Sequence, residues 1–371
     1  MDNRRLDFLD VIRGIAITLV FSFHCMGPAL GSYGLSWSNE YRDFNINPTY
    51  WLFFPFSFGF LGVAIFFVIS GFCIHLSHVR SGEIGFLHFV QKRFFRIFPP
   101  YFICLMAFCL YQWNWAGLNS NKEIKQFFTH LFLVHNFNSN FILGVNPSFW
   151  SIAIEAQLYI LYPLLYISAK KTGWGTVMII VSCIEFFQRA LISFGLTLDS
   201  QADFPEWINS GPFTFIFSWT LGVYIADKHI RQERCTRSPY LIGLMIFLII
   251  LFYFYKPLAV FEFPLAAIAT GLWLQIELNK KENFKDGRSS LITGLFMKVG
   301  VVSYSFYLIH QPLVGGYSRL VYRVFKIGAG PLFIFSLLAV IPIYFISRIL
   351  FKYLEIPSVE LGKRVMLGFK K

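Results

Sequence analysis

Charge is scarce in this chain: Asp, Glu, Lys and Arg make up 14% of its 371 residues, where a soluble domain carries about 25%. That deficit excludes an ordinary water-soluble enzyme. The polar segments between apolar runs are no longer than about 30 residues, too short for an attached soluble catalytic domain, so any chemistry belongs to the apolar part itself. Cysteine is also sparse. Cys25, Cys73, Cys104, Cys109 and Cys183 fall inside apolar runs and Cys235 in a polar loop, so no disulfide framework is expected. The chain has no Cys/His spacing of a metal centre, no phosphate-binding glycine loop, no dinucleotide fingerprint and no obvious internal repeat. Neither a metal site nor a permanently bound cofactor is read. Acidic residues number 20 against 32 basic ones, a net charge of +12. In so apolar a chain this surplus reads as a helix-orienting signal, not as a footprint for nucleic acid.

Apolar surface is what the chain has in abundance. Hydrophobic residues are 56% of the total and phenylalanine alone supplies 46, with a mean hydropathy of +0.57. A bilayer core of about 30 Å takes about 20 apolar residues to cross as a helix. Ten runs of that order lie between charge clusters and Gly/Pro turns, at 8–27, 52–76, 97–116, 147–168, 174–195, 211–228, 239–256, 258–278, 295–316 and 330–351. The seventh and eighth meet at Lys256-Pro257, where a tight hairpin and a re-entrant kink read alike, and 124–137 reads as an interfacial helix. The expected fold is all-α, a single polytopic membrane domain over 1–371 with about ten transmembrane helices in contact with the lipid bilayer. Alternating the loops puts 21 Lys and Arg on the side of both termini, among them Arg4, Arg5, Arg80, Lys92, Arg234, Arg237, Lys280, Lys281, Lys285 and Arg288. Only 7, Arg42 and Lys256 among them, fall on the other side. The positive-inside rule then makes both termini cytoplasmic, in the plasma (inner) membrane. Arg13 interrupts the first run and no small-residue cleavage pattern follows, so this run is read as retained and not as a signal peptide.

Ionisable groups inside such runs are costly and mark candidate sites. Arg13 and His24 are eleven residues apart on one helix, about 16.5 Å of rise and about 20° of rotation. They share a face at opposite depths, Arg13 near the inner surface and His24 near the outer. The plain alternative is that Arg13 pairs with Asp10 while His24 bonds a carbonyl. Glu155, a little over one turn beyond Trp150, is expected at roughly the depth of His24, where a carboxylate can orient an imidazole as general base. The alternative for it is a structural bond to Tyr159 or Gln157. His310, at the end of Tyr304-Ser305-Phe306-Tyr307-Leu308-Ile309, reaches the same outer level. On the inner side, Arg93 and Arg96 at i, i+3 form a fork that can grip phosphate, although topology alone asks for arginines there. Ser70 and Gly71 close a small-residue stretch that lets a slender ligand, or simply another helix, approach.

Taken in order, these segments resemble acyltransferase family 3, the integral-membrane O-acyltransferases. The similar motifs are Arg13-Gly14-Ile15-Ala16 with His24, Gly62-Val63 with Phe66 to Phe72, Arg93 to Arg96 with Ile97 and Pro99 to Tyr101, Trp150-Ser151 with Glu155, Tyr159 and Pro163, Tyr304 to His310 with Pro312, and loosely Tyr353 to Pro357. Ala156-Gln157 departs from the pattern, because a second acid is common after the glutamate. No hydrolase-type extracytoplasmic domain follows, so the chain resembles the stand-alone form. The resemblance implies acetyl-CoA or another acyl-CoA as donor co-substrate, bound from the cytoplasm. It implies a carbohydrate hydroxyl as acceptor, on a surface polysaccharide or its lipid-linked glycan precursor. Catalytic roles then fall on His24, Glu155 and His310, and donor binding on Arg13, Arg93, Arg96, Ser70 and Gly71.

The expected reaction is acyl transfer in which His24 takes the acceptor proton and Glu155 stabilises the imidazolium, with arginines and histidine lining one continuous passage. A proton-coupled transporter or lipid-linked glycan flippase is the alternative, with His24, Glu155 and His310 as a proton relay. Tyr33, Trp37, Tyr41, Tyr50 and Trp51 can stack on sugar rings or anchor the interface.

Overall fold

A computed structural model describes residues 7–30, 50–82, 85–112, 120–199, 202–233, 238–279 and 291–368, all helix, turn or coil with no strand among them. Arg4, Arg5, Arg42, Arg234, Arg237, Lys280, Lys281, Lys285 and Arg288, together with Tyr33, Trp37, Tyr41 and Cys235, lie outside the described residues. The helices are α1 (Asp7–Leu30), α2 (Tyr50–Ser57), α3 (Gly62–Arg80), α4 (Phe86–Gln112), α5 (Asn121–Leu131), α6 (Phe149–Thr172), α7 (Trp174–Leu198) and α8 (Glu206–Asn209). There follow α9 (Ile216–Ile230), α10 (Pro239–Tyr253), α11 (Lys256–Ala259), α12 (Glu262–Asn279), α13 (Leu291–Val301), α14 (Ser303–Phe325), α15 (Ala329–Leu337), α16 (Val340–Leu350) and α17 (Ile356–Gly368).

Each of the ten apolar runs contains helix, but they differ in reach. Six stretches are long and apolar enough to cross a membrane, and a seventh is the pair α13 and α14 taken together, bent by 84° at their junction. The protein is therefore a multi-pass membrane protein. Helices α9 and α10 have 15 residues each, about 22 Å, which is short of the bilayer core. Helix α9 sits at the centre of the bundle, most of its residues buried, so protein and not lipid surrounds it. Helix α10 presents Tyr240, Phe247 and Leu251 outward.

Glycine sets how closely the central helices approach. A Cβ on Gly14 would stand 1.9 Å from the Phe296 carbonyl oxygen, and one on Gly300 would stand 1.7 Å from that of Asp10, so α1 and α13 touch backbone to backbone. Gly71 and Gly222 make the same seam between α3 and α9, against Trp219 O and Val68 O. In a bilayer, where apolar side chains gain nothing by leaving lipid, such close packing holds helices together. A buried ion pair adds to it. Glu185 accepts from Arg189 Nε at 3.1 Å and from the backbone N–H groups of Phe217 and Ser218, capping the start of α9, while Arg189 donates to Val260 O and Thr214 O.

The segment between α5 and α6 is closed by two buried histidines. His130 has Gln126 O at 2.7 Å from Nδ1 and Gly144 O at 3.2 Å from Nε2. His135 stacks on it with ring centroids 3.8 Å apart and planes within 6°. Alongside, Asn136 and Gln157 exchange amide hydrogen bonds at 3.2 and 2.8 Å, which absorbs Gln157 into the loop anchor. Burial pushes His130 down to about 4 and His135 well below the usual imidazole range.

Two outcomes follow. Gly300→Ala should destabilise the purified protein by at least about 2 kcal/mol, whereas Gly315→Ala, with open space at its Cβ position, should be neutral or mildly stabilising; thermal unfolding in detergent separates them. At His130 desolvation outweighs the two carbonyls, so the ring donates to only one of them; because both histidines are then neutral when folded and charge when unfolded, stability should hold above pH about 6.5 and fall as pH drops toward 4, by about 1.4 kcal/mol per pH unit for each group. His135→Phe, which keeps the stack, should flatten that slope.

Candidate active site

Two polar clusters lie at different depths in the bundle, one built around imidazoles and one around guanidinium groups. The first joins α1 and α14. His24 Nδ1 lies 2.9 Å from His310 Nε2, and His310 Nδ1 lies 2.8 Å from Tyr307 O. A carbonyl only accepts, so His310 carries its proton on Nδ1 and, as a neutral ring, accepts through Nε2. His24 must then donate through Nδ1. Its Nε2 is left as the basic nitrogen of the pair. His310 is fully buried and His24 only partly so.

Helix α6 is stitched to this level by its first turn. Pro312 offers no N–H to the Leu308 carbonyl one turn earlier, and Asn146 Nδ2 supplies the missing donor at 2.8 Å. Ser148 Oγ donates to Gln311 Oε1 at 2.5 Å, and Ser151 Oγ meets Tyr307 OH at 2.6 Å.

The second cluster surrounds a cavity of about 140 Å³ lined by Arg13, Arg93, Arg96, Ser70, Cys73, Glu155, Tyr159, Tyr304, Tyr307 and Glu355, among others. A second cavity of about 420 Å³ shares Arg13, Arg96 and Glu355 with it and adds Asp10, Glu360 and Lys363. Arg13 donates to Asp10 Oδ1 at 2.9 Å and to Cys73 Sγ at 3.1 Å. Glu155 Oε1 accepts from Ser70 Oγ at 2.5 Å and from Tyr159 OH, and Trp219 Nε1 donates to Ser70 Oγ at 3.3 Å. Glu355, brought in by a π-helical turn over Phe351–Glu355, accepts from Ser305 at 2.9 Å. Arg93 is buried, its guanidinium 5.6 Å above the Phe89 ring, and its Nε has no hydrogen-bond partner among the described residues. A buried cation without a full set of partners fits an anionic ligand.

The arginines and the histidines thus fall where the sequence separates them, at two levels, but three expectations are corrected. Glu155 does not stand beside His24: Ser148 is level with Gln311, and Glu155 is seven residues farther along α6, about 10 Å deeper. The partner of His24 is His310. Gly71 faces the backbone of α9 and belongs to helix packing, while its neighbour Ser70 lines the cavity. Among the described residues the arginine cavity stops short of the imidazoles, for neither His24 nor His310 lines it, and Tyr307, which does, is the residue whose carbonyl holds His310. Sequence reasoning missed Tyr307, Tyr304, Asn146 and Glu355 as site residues. Pro312 announced a free carbonyl, and Glu355 sat in the closing motif, so both carried a signal.

Residues 6–352 match the family profile described as an acyltransferase domain. An O-acetyl transferase of Shigella phage Sf6 is 27% identical over 199 residues, 49% of this chain and 58% of that protein. Nodulation protein 10 of Rhizobium leguminosarum bv. viciae is 29% identical over 184 residues, 44% of this chain and 48% of that protein. The O-acetyltransferase OatA of Staphylococcus aureus is 28% identical over 133 residues, 29% of this chain and 20% of that protein. The chain therefore spans less than two thirds of the length of these curated relatives. No solved structure matches it.

Replacing the buried Arg93 by an apolar side chain of similar length should stabilise the ligand-free protein, since an incompletely paired charge leaves the interior. Arg93→Met should raise its unfolding temperature, by about 1 kcal/mol or more in stability; added inorganic pyrophosphate should stabilise the unaltered protein against unfolding and the variant less.

Proposed function

The chain belongs to this acyltransferase family, and from that premise we propose that it is a membrane O-acyltransferase moving an acyl group, acetyl in the first instance, from acyl-CoA to a carbohydrate hydroxyl. The carrying observation is the His24–His310 pair, whose hydrogen bonds leave a basic nitrogen on His24, set beyond a cavity lined by Arg13, Arg93 and Arg96. The arginine level faces the cytoplasm on the reading of 21 basic residues against 7, in the plasma (inner) membrane. The names of the phage and staphylococcal relatives support a hydroxyl as the acceptor.

The donor's phosphates engage Arg13, Arg93 and Arg96, and its thioester arm extends along Ser70, Tyr159 and Glu155 toward Tyr307. The Tyr307–Ser151 hydrogen bond closes the top of the cavity, so transfer requires the Tyr307 side chain to swing aside. The acceptor hydroxyl then attacks the thioester carbonyl while His24 Nε2 takes its proton. The C–S bond breaks, the thiolate leaves toward the arginines and takes a proton from water on that side, and the protonated His24 returns its proton to water on the acceptor side. The positive charge on His24 is shared through its Nδ1–H with His310, whose own Nδ1–H is anchored on Tyr307 O. His310 is a positioning residue that selects the tautomer of His24. Glu155, deeper by about two turns, fixes the Ser70 and Tyr159 hydroxyls along the path of the donor. The acceptor is a surface polysaccharide or its lipid-linked precursor.

Purified protein given acetyl-CoA and an extract of cell-surface glycan should release free CoA and add one acyl mass to the glycan. His24→Ala should lower turnover about 100-fold or more with an unchanged unfolding temperature, and His310→Gln should lower it less while shifting the pH profile. Near-normal turnover by His24→Ala removes His24 from the reaction. Gradient-driven uptake into vesicles without thioester loss would instead favour a carrier.

A further inference from the structure

The arginine cavity, about 140 Å³, and the second cavity, about 420 Å³, share Arg13, Arg96 and Glu355 in their walls. The narrower one reaches to Tyr307, and the wider one has the exposed side chains of Glu360 and Lys363 at its rim. Such a pair fits a ligand that is slender at one end and broad at the other. Helix α17 supplies one wall of the wider cavity through Ile356, Val359, Glu360 and Lys363, whose spacing puts them on one helix face. That face is held in place, because Ser358 donates to Phe95 O and a Cβ on Gly362 would stand 2.6 Å from Phe95 Cβ, which docks α17 on the helix that carries Arg96. Leu9, Val301 and Phe351 add apolar surface opposite. Of the carboxylates, Asp10 is taken by Arg13 and Glu355 by Ser305. Arg96, Glu360 and Lys363 make no hydrogen bond or ion pair among the described residues. Lys92 stands within electrostatic range of Arg93, Arg96 and Lys363, so cations crowd this end of the bundle. Apolar walls, unpaired cations and one unpaired carboxylate together match a nucleotide, which offers a flat base, phosphates and an amine.

We propose that the wider cavity seats the nucleotide of the donor, with Lys363 on the phosphate carried by the ribose and Glu360 on the amine of the base, so that α17 selects a nucleotide-bearing thioester over one that ends in a bare phosphate. The inference rests on the acyl-CoA reading of the site. The diphosphate lies at Arg13 and Arg96, the residues common to both cavities, and the base lies against Phe351 and Val359. The thioester arm is left to run through the narrow cavity toward Tyr307, where the transfer needs it. Helix α17 lies beyond residues 6–352, the part of the chain that matches the family profile, so Glu360 and Lys363 are contributed by the segment that follows the shared domain. Lys363 binds and does not touch the reacting atoms, and its effect belongs to affinity and donor choice.

The test uses the full-length protein in detergent with the glycan extract as acceptor and three donors: acetyl-CoA, acetyl-3′-dephospho-CoA and acetyl-phosphopantetheine. The unaltered protein should show the lowest KM for acetyl-CoA and the highest for acetyl-phosphopantetheine. Lys363→Gln, an exposed position checked for fold by thermal unfolding, should narrow the preference for acetyl-CoA over the dephospho donor about fivefold, through KM and not kcat, and Lys363→Arg should keep it. A second readout needs no turnover. Adenosine 3′,5′-bisphosphate should raise the unfolding temperature of the unaltered protein more than adenosine 5′-monophosphate does, and Lys363→Gln should remove that difference. Equal KM for all three donors overturns the proposal, as does an unchanged donor preference in Lys363→Gln, and in either case the acyltransferase reading stands. Absence of thioester cleavage from every donor defeats that reading and the proposal with it.

Discussion

Backbone carbonyls deprived of their N–H partners by proline govern how this bundle is joined. A helix in an apolar bundle cannot leave a carbonyl bare, because no water is at hand to replace the missing donor. Two such carbonyls each take a side chain from another element. Leu308 O, freed by Pro312, accepts from Asn146. Phe95 O, freed by Pro99, accepts from Ser358. Each bond ties segments far apart in sequence: the lead into α6 to α14, and α17 to α4. The first of them sets the level at which Ser148 and Ser151 meet the helix that carries His310.

Glycine does the complementary work. The seams at Gly14 and Gly300, and at Gly71 and Gly222, bring α1 and α3 into the middle of the molecule with no side chain between backbones. Helix α1 therefore carries both Arg13 and His24 through the interior. One rigid element spans the two chemical levels, and their separation is fixed by helical rise alone. The bent pair α13–α14 lies against it, and its 84° turn lets the same connected segment pack on Asp10 below and present His310 to His24 above.

The division of labour within the site follows from depth. Guanidinium groups, carboxylates and the Cys73 thiol share the lower cavity, and the imidazoles sit above it behind Tyr307. Separating cations from the basic imidazole keeps the charges from opposing its protonation, and hydrogen bonding through His310 gives His24 its tautomer without a carboxylate alongside. Tyr307 belongs to both levels, with its hydroxyl on Ser151, its carbonyl on His310 and its ring at the cavity wall. It is the residue that the two levels share.

Much of this was legible in the linear chain. Hydropathy marked the helices, because crossing apolar medium demands uninterrupted apolar length, and the arithmetic of a single helix put Arg13 and His24 on one face eleven residues apart. Ordered motifs pointed to the acyltransferase family before any contact was known. Relations between helices were not legible, since they depend on relative rotation and sliding, to which no periodicity is sensitive. Glu155 and His24 each lie near the outer end of an apolar run, yet the bonds at Ser148 and Ser151 set Glu155 about two turns too deep to touch the imidazole. Gly71 and Ser70 are adjacent, and only packing shows that one faces α9 and the other the cavity. Sequence by itself determined which segments are helical and which charges must be hidden, because solvation is a property of each segment. Tertiary structure alone decided which hidden groups meet, because that depends on where glycine lets backbones touch and on which side chain answers each carbonyl that proline leaves free.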